Sequence, residues 1–128
     1  MLKLSQLSQR EIFSILLHKE RRSKKKKFNA VIAKRPDFAE GWNKRATVYF
    51  LLGEDDLSLK DCAEVLKRNP RHFGVLAGYG QIYLRKGELQ RSLDYFEQAL
   101  AINPNMTGVQ ASIDALRELM VKRGRRYI

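Results

Sequence analysis

The sequence predicts an all-α fold of the helical-repeat solenoid kind, and three observations lead there. Pro36, Pro70 and Pro104 stand 34 residues apart, twice. Between them, apolar and small residues recur at i, i+4 and i+7, the spacing of one helix face. A glycine, Gly53 or Gly87, then closes each stripe, where a left-handed residue ends a helix at little cost.

The offset carries through each repeat. Trp42, Ala46, Tyr49, Gly53, Ser58, Cys62, Val65 and Pro70 fall on Leu76, Gly80, Tyr83, Gly87, Ser92, Phe96, Ala99 and Pro104. Large falls on large, small on small and glycine on glycine. The units are therefore residues 36–69 and 70–103, each a helix, a turn and a second helix. Ala46 and Gly80 let the second helix of their unit approach closely. Asp55 or Asp56 caps the second helix of the first unit, and proline, lacking an N–H, closes each unit.

The flanks are partial copies. Residues 1–35 read as a degenerate, basic N-terminal repeat. Phe28, Val31 and Pro36 fit the second-helix pattern, but Lys19 stands where the turn glycine belongs. Two helices are expected there, the first over about residues 5–19. Residues 104–122 read as a capping helix from Thr107, with Val109, Ile113, Leu116 and Met120 on its buried stripe and Asp114, Arg117 and Glu118 outside. Residues 123–128 read as a loose basic tail. One unit cannot bury its apolar face alone, so stacking is obligatory.

A 34-residue helix–turn–helix period with this pattern resembles the tetratricopeptide repeat (TPR) family. The resemblance covers residues 36–104 well. It implies a right-handed superhelix whose first helices line a concave groove, and it implies a protein-binding scaffold that holds a segment of a partner. Arg45 departs from the family pattern, which has leucine there; Asp61 and Glu64 are its candidate partners. Residues about 100° from the packing stripe are the candidate groove: Asn43, Lys44, Thr47 and Phe50, then Ala77, Gly78, Gln81 and Arg85. Gln9, Arg10 and Phe13 join them from the degenerate repeat. Some family members clamp the C-terminal carboxylate of chaperones with Lys, Asn and Arg. Here Ala77, Gly78 and Ser112 are small and uncharged at the facing positions, so that specificity is not carried over.

Composition narrows the function classes. With 44% apolar and 30% charged residues in 128, a packed single-domain core is expected rather than disorder. No apolar run approaches the roughly 18–20 residues of a transmembrane helix. "IFSILL" falls short of a signal-peptide core of ~7–15 residues. A lone cysteine fits a reducing, cytoplasmic setting, with organellar targeting by the basic first 35 residues left open. His18 and His72 are far apart and in no ligand cluster, and Cys62 sits on the packing stripe. No enzyme activity, cofactor or metal is expected.

The net charge of +11 is concentrated at the ends. Residues 1–35 carry eleven Lys/Arg against two acids, net +9. Arg21, Arg22, Lys24, Lys25, Lys26 and Lys27 form a candidate anion-binding segment, for RNA or an anionic membrane, or else a merely solvated helix start. Self-association through the under-covered first repeat is the third alternative.

Overall fold

The computed structural model describes residues 6–126 and contains six helices: α1 (Gln9–Lys34), α2 (Ala39–Leu51), α3 (Asp55–Arg68), α4 (Phe73–Arg85), α5 (Leu89–Ile102) and α6 (Thr107–Arg126). No strand occurs among the described residues. The 34-residue period governs the element ends. The starts of α2, α4 and α6 repeat at that offset, and α1, α3 and α5 each stop two residues before a proline. The residue before a proline is pushed out of the α region, which is why the helices end there.

Two compact units divide the chain after Asp61, within α3. In the first, α1 packs on α2. Gly41 lies against Val31 and Ile32 of α1, and Trp42 donates its indole N–H to the Pro36 carbonyl at 2.9 Å. The Ser58 hydroxyl, fully buried, donates to the Ala46 carbonyl at 2.7 Å. Arg45 forks onto both carboxylate oxygens of buried Asp61, each at 2.7 Å, and reaches Asn29 of α1 at 3.1 Å. Its guanidinium lies over the Trp42 and Tyr49 rings, 5.2 and 5.6 Å from their centroids. The hydrogen bonds it donates to Asp61 hold the guanidinium pKa above the ordinary value, against the opposing effect of burial. Of the two partners considered for Arg45, Asp61 is the one. Glu64 instead pairs with Arg68 and Lys67 in its own helix.

In the second unit, Leu76, Ala77, Leu93, Phe96, Ala99, Val109, Ile113 and Leu116 make one buried cluster from α4, α5 and α6. Phe96, 1% exposed, lies so close to α4 that a Cβ on Gly80 would stand 2.6 Å from its ring. The Ser92 hydroxyl donates to the Gly80 carbonyl at 2.6 Å, repeating the Ser58 bond at the same offset. Tyr79 stacks on Tyr95 at 4.6 Å, and Arg91 covers Tyr83 at 4.8 Å. Burial raises the Tyr79 phenol well above its usual pKa. Gly53 and Gly87 both have φ of 79°. In each case the next amide bonds back to the tyrosine four residues before the glycine, at 2.8 and 2.9 Å, a Schellman closure.

Three expectations are corrected. Residues 9–34 form one helix, not two, because the capping box of Ser8 and Glu11 starts it and no glycine or proline interrupts it before Pro36. The part of the expected first helix before Gln6 lies outside the described residues. Asp55 and Asp56 fall inside the first turn of α3, where they favour the helix dipole, rather than at its N-cap. The basic tail is helical as far as Arg126: a single Gly124 costs only about 1 kcal/mol, and Lys122 pairs with Glu118 at 3.2 Å one turn earlier. Residues 127–128 lie outside the described residues.

Two stability outcomes follow. Gly80→Ala should destabilise, because overpacking against the buried Phe96 ring costs about 1–3 kcal/mol. Gly78→Ala should stabilise by up to about 1 kcal/mol, since nothing lies within 4 Å of the added Cβ. Urea midpoints moving in the same direction would contradict this packing. Positions 45 and 61 of the first unit are the offset counterparts of Tyr79 and Tyr95 in the second. Asp61→Ala should therefore cost about 3 kcal/mol, by stranding a part-buried guanidinium. The double variant Arg45→Tyr/Asp61→Tyr should recover much of that loss through a transplanted stack. Additive losses in a double-mutant cycle would count against the equivalence.

Candidate functional site

Helix α2 uses two sides for packing. Gly41 and Val48 face α1, while Arg45, Ala46 and Tyr49 turn toward α3. The remaining side carries Lys44, Thr47 and Leu51, all exposed, with Asn43 and Phe50 half-buried at its edge. The Thr47 hydroxyl is turned back onto the Asn43 carbonyl at 3.1 Å, and the Asn43 amide leans to Glu40 at 3.4 Å. Helix α4 has the same layout in its own unit. Val75, Tyr79, Gly80 and Ile82 are buried, while Gln81, Leu84 and Arg85 are exposed beside the open space at Gly78.

Of the eight groove residues expected from helical geometry, Ala77 is misplaced. It is 7% exposed and belongs to the buried cluster that α6 completes. An angle of 100° from the stripe marks a boundary, and in the second unit the cap helix claims that flank. Leu51 and Leu84 were missed. They are exposed apolar residues on the same faces, and the offset that makes Leu84 the counterpart of Phe50 was the available signal. Gln9, Arg10 and Phe13 are exposed on α1.

The cationic run from Arg21 to Lys27 does not form one patch. At 100° per residue it winds around α1. Arg21 and Lys25 are half-buried, and Arg21 donates to the Leu51 carbonyl at 2.9 Å. Lys24 pairs with Glu20 at 3.4 Å. Arg22, Lys26 and Lys27 remain exposed on the side away from α2.

The other chemistry-bearing residues have structural settings. The His72 ring nitrogen Nδ1 accepts from the Val75 amide at 3.0 Å and caps α4, a role the sequence reading missed. Cys62 is buried. No group of three or more His, Cys, Asp or Glu is placed to hold a metal among the described residues, and none of their helices is long and apolar enough to cross a membrane.

Comparison with known proteins agrees with this architecture. The tetratricopeptide-repeat family profile matches residues 74–106. A TPR repeat-containing protein of Rhizobium etli is 40% identical over 87 residues, 68% of this chain and 43% of that protein. A DnaJ homolog subfamily C member 7 homolog of Schizosaccharomyces pombe is 27% identical over 75 residues, 59% of this chain and 16% of its own. The chain thus spans less than half the length of these curated relatives. The first TPR of Spaghetti (RPAP3) bound to an HSP90 peptide superposes with a TM-score of 0.69 at 15% identity, over 84% of this chain and 92% of that one. The Yersinia enterocolitica type III secretion chaperone SycD, in complex with a peptide of the translocator YopD, gives 0.72 at 14% identity, over 84% and 88%. Six helices in a 34-residue register, two glycine-closed turns, the family profile and these superpositions lead to one conclusion: the chain is a tetratricopeptide-repeat protein.

Proposed function

We propose that the chain is a protein-interaction module that holds a segment of a partner protein on the exposed faces of its first helices. The observation that carries this reading is the repeated division of labour on α2 and α4. Each helix packs two sides and leaves one side bearing a leucine among hydrogen-bonding and cationic side chains. On α4 that side is Gln81, Leu84 and Arg85, with Gly78 leaving room for a close backbone approach. An apolar anchor ringed by polar groups is the usual composition of a segment-binding surface. The two similar structures with bound peptides support the reading at the level of the fold.

The cations on these faces, Lys44 and Arg85, favour acidic segments, and the leucines favour an apolar anchor residue. Exposed side chains of this kind contribute to recognition and little to folding.

Affinity capture from the native source identifies the partner, and single changes then test the face. Gln81→Ala and Thr47→Ala should leave stability within about 0.5 kcal/mol, as for surface changes. They should weaken the partner by at least roughly fivefold, the equivalent of about 1 kcal/mol. The double change Lys44→Glu/Arg85→Glu should weaken an acidic segment and spare an apolar one. A partner that binds all of these variants as tightly as the wild type docks elsewhere, and the reading fails. A large loss of stability for Gln81→Ala would show that the face is packed.

A further inference from the structure

Helix α1 is twice as long as α2, 26 residues against 13. Arg21 donates to the carbonyl of Leu51, the last residue of α2, so α2 ends where α1 reaches Arg21. Residues 9–20 continue past that point for about 18 Å, at 1.5 Å per residue. This overhang carries exposed apolar side chains among polar ones. Phe13 is 67% exposed, Ile15 50% and Leu16 60%. Ile12 and Leu17 are half-buried beside them.

The overhang and the basic run share a side. Arg21, Lys25, Phe28 and Ile32 fall within about 60° of one another on the side of α1 turned toward α2, and each is half-buried or buried. The opposite side, by helical angle, carries Ile12 and Leu16 in the overhang, then Lys19, Lys26, Lys27 and Lys34. Those four lysines are all exposed. One outward surface thus carries apolar side chains in its first turns and mainly lysines beyond them, with Glu20, paired with Lys24, at its edge.

We infer that this outward surface of α1 docks on an anionic lipid bilayer, lying in its interface. Phe13, Ile15 and Leu16 enter the boundary between headgroups and acyl chains, and the lysines meet the lipid phosphates. Charge selects this occupant. A second copy of the chain would bring two segments of net +9 together, whereas an anionic surface neutralises them. Shape selects it as well. Ile15 and Phe13 lie about 160° apart around the helix, wider than the seam one partner helix covers, and a lipid phase makes no such demand. The apolar stretch is far short of a span, so the helix lies on the membrane and does not cross it.

Flotation of the full chain with vesicles tests this. The probes are phosphatidylcholine alone and phosphatidylcholine with about one third phosphatidylglycerol. The wild type should bind the anionic vesicles at least about tenfold more tightly, and raised salt should weaken that binding. Lys26→Gln/Lys27→Gln should lose roughly 25-fold, at about fivefold per lysine near the surface. Phe13→Ser/Leu16→Ser should lose at least about tenfold while keeping the wild-type melting curve, because both side chains are exposed. Gln81→Ala/Arg85→Ala should leave vesicle binding unchanged, which separates this surface from the proposed partner face. Equal binding to both lipids, or no loss in either α1 variant, overturns the inference. So does a dimer, measured by light scattering, that Phe13→Ser/Leu16→Ser dissolves without any vesicle binding. So does a single-stranded RNA that outcompetes the vesicles and ignores the same change.

Discussion

The structure depends on a close approach between the first and second helix of a repeat, made at a small residue and locked by a buried hydroxyl. In the second unit, Gly80 has no Cβ, and the Phe96 ring occupies the space a Cβ would take. Ser92 then donates to the Gly80 carbonyl at 2.6 Å, and Ser58 makes the same bond to Ala46 in the first unit. A hydroxyl buried without a partner would cost on the order of 1–3 kcal/mol, so each serine fixes the axial register of its helix as well as the distance. The turn between the helices is therefore tightly specified, and a glycine at φ 79° with two back-bonded amides supplies it in both units.

Within that frame the chemistry is free to differ. The positions occupied by Arg45 and Asp61 in the first unit are Tyr79 and Tyr95 in the second. One pair joins by a forked ion pair, the other by a stack at 4.6 Å. Both fill the same place beside the helix crossing. Burying a lone charge is costly, so the arginine is also sheltered by two aromatic faces and Asn29. The repeat conserves a geometry and leaves the side chains that satisfy it open.

Freedom of this kind also explains how one architecture presents different surfaces. The faces of α2 and α4 are set by what the buried sides of those helices require, and whatever remains is available to a partner. Helix α1 is the exception to the period. Without a glycine near Lys19 it does not turn, and its first twelve residues overrun α2 with Phe13, Ile15 and Leu16 exposed. The result is an N-terminal surface of a different nature from the repeat faces: apolar and cationic, with few acids.

Much of the fold was legible in the letters. The 34-residue offset located Pro36, Pro70 and Pro104, the turn glycines, the stripes of α2 to α5 and the buried side of α6, because each follows from short-range backbone rules that a residue type announces. The packing reason for Gly80 was legible too, since a small residue on a stripe of large ones implies a close neighbour. Tertiary structure alone decided the rest. Which acid met Arg45 depended on the rotation of α3 about its axis, and Asp61 and Glu64 differ there by 300°, or 60° the short way. Ala77 was lost from the candidate face because α6 covered that flank, and Leu51 and Leu84 joined it because they stay partly exposed among the described residues. The continuity of α1 was decided by an absence, the missing breaker before Pro36. Periodicity reports which side of a helix is apolar; only the neighbours determine which of its sides are covered.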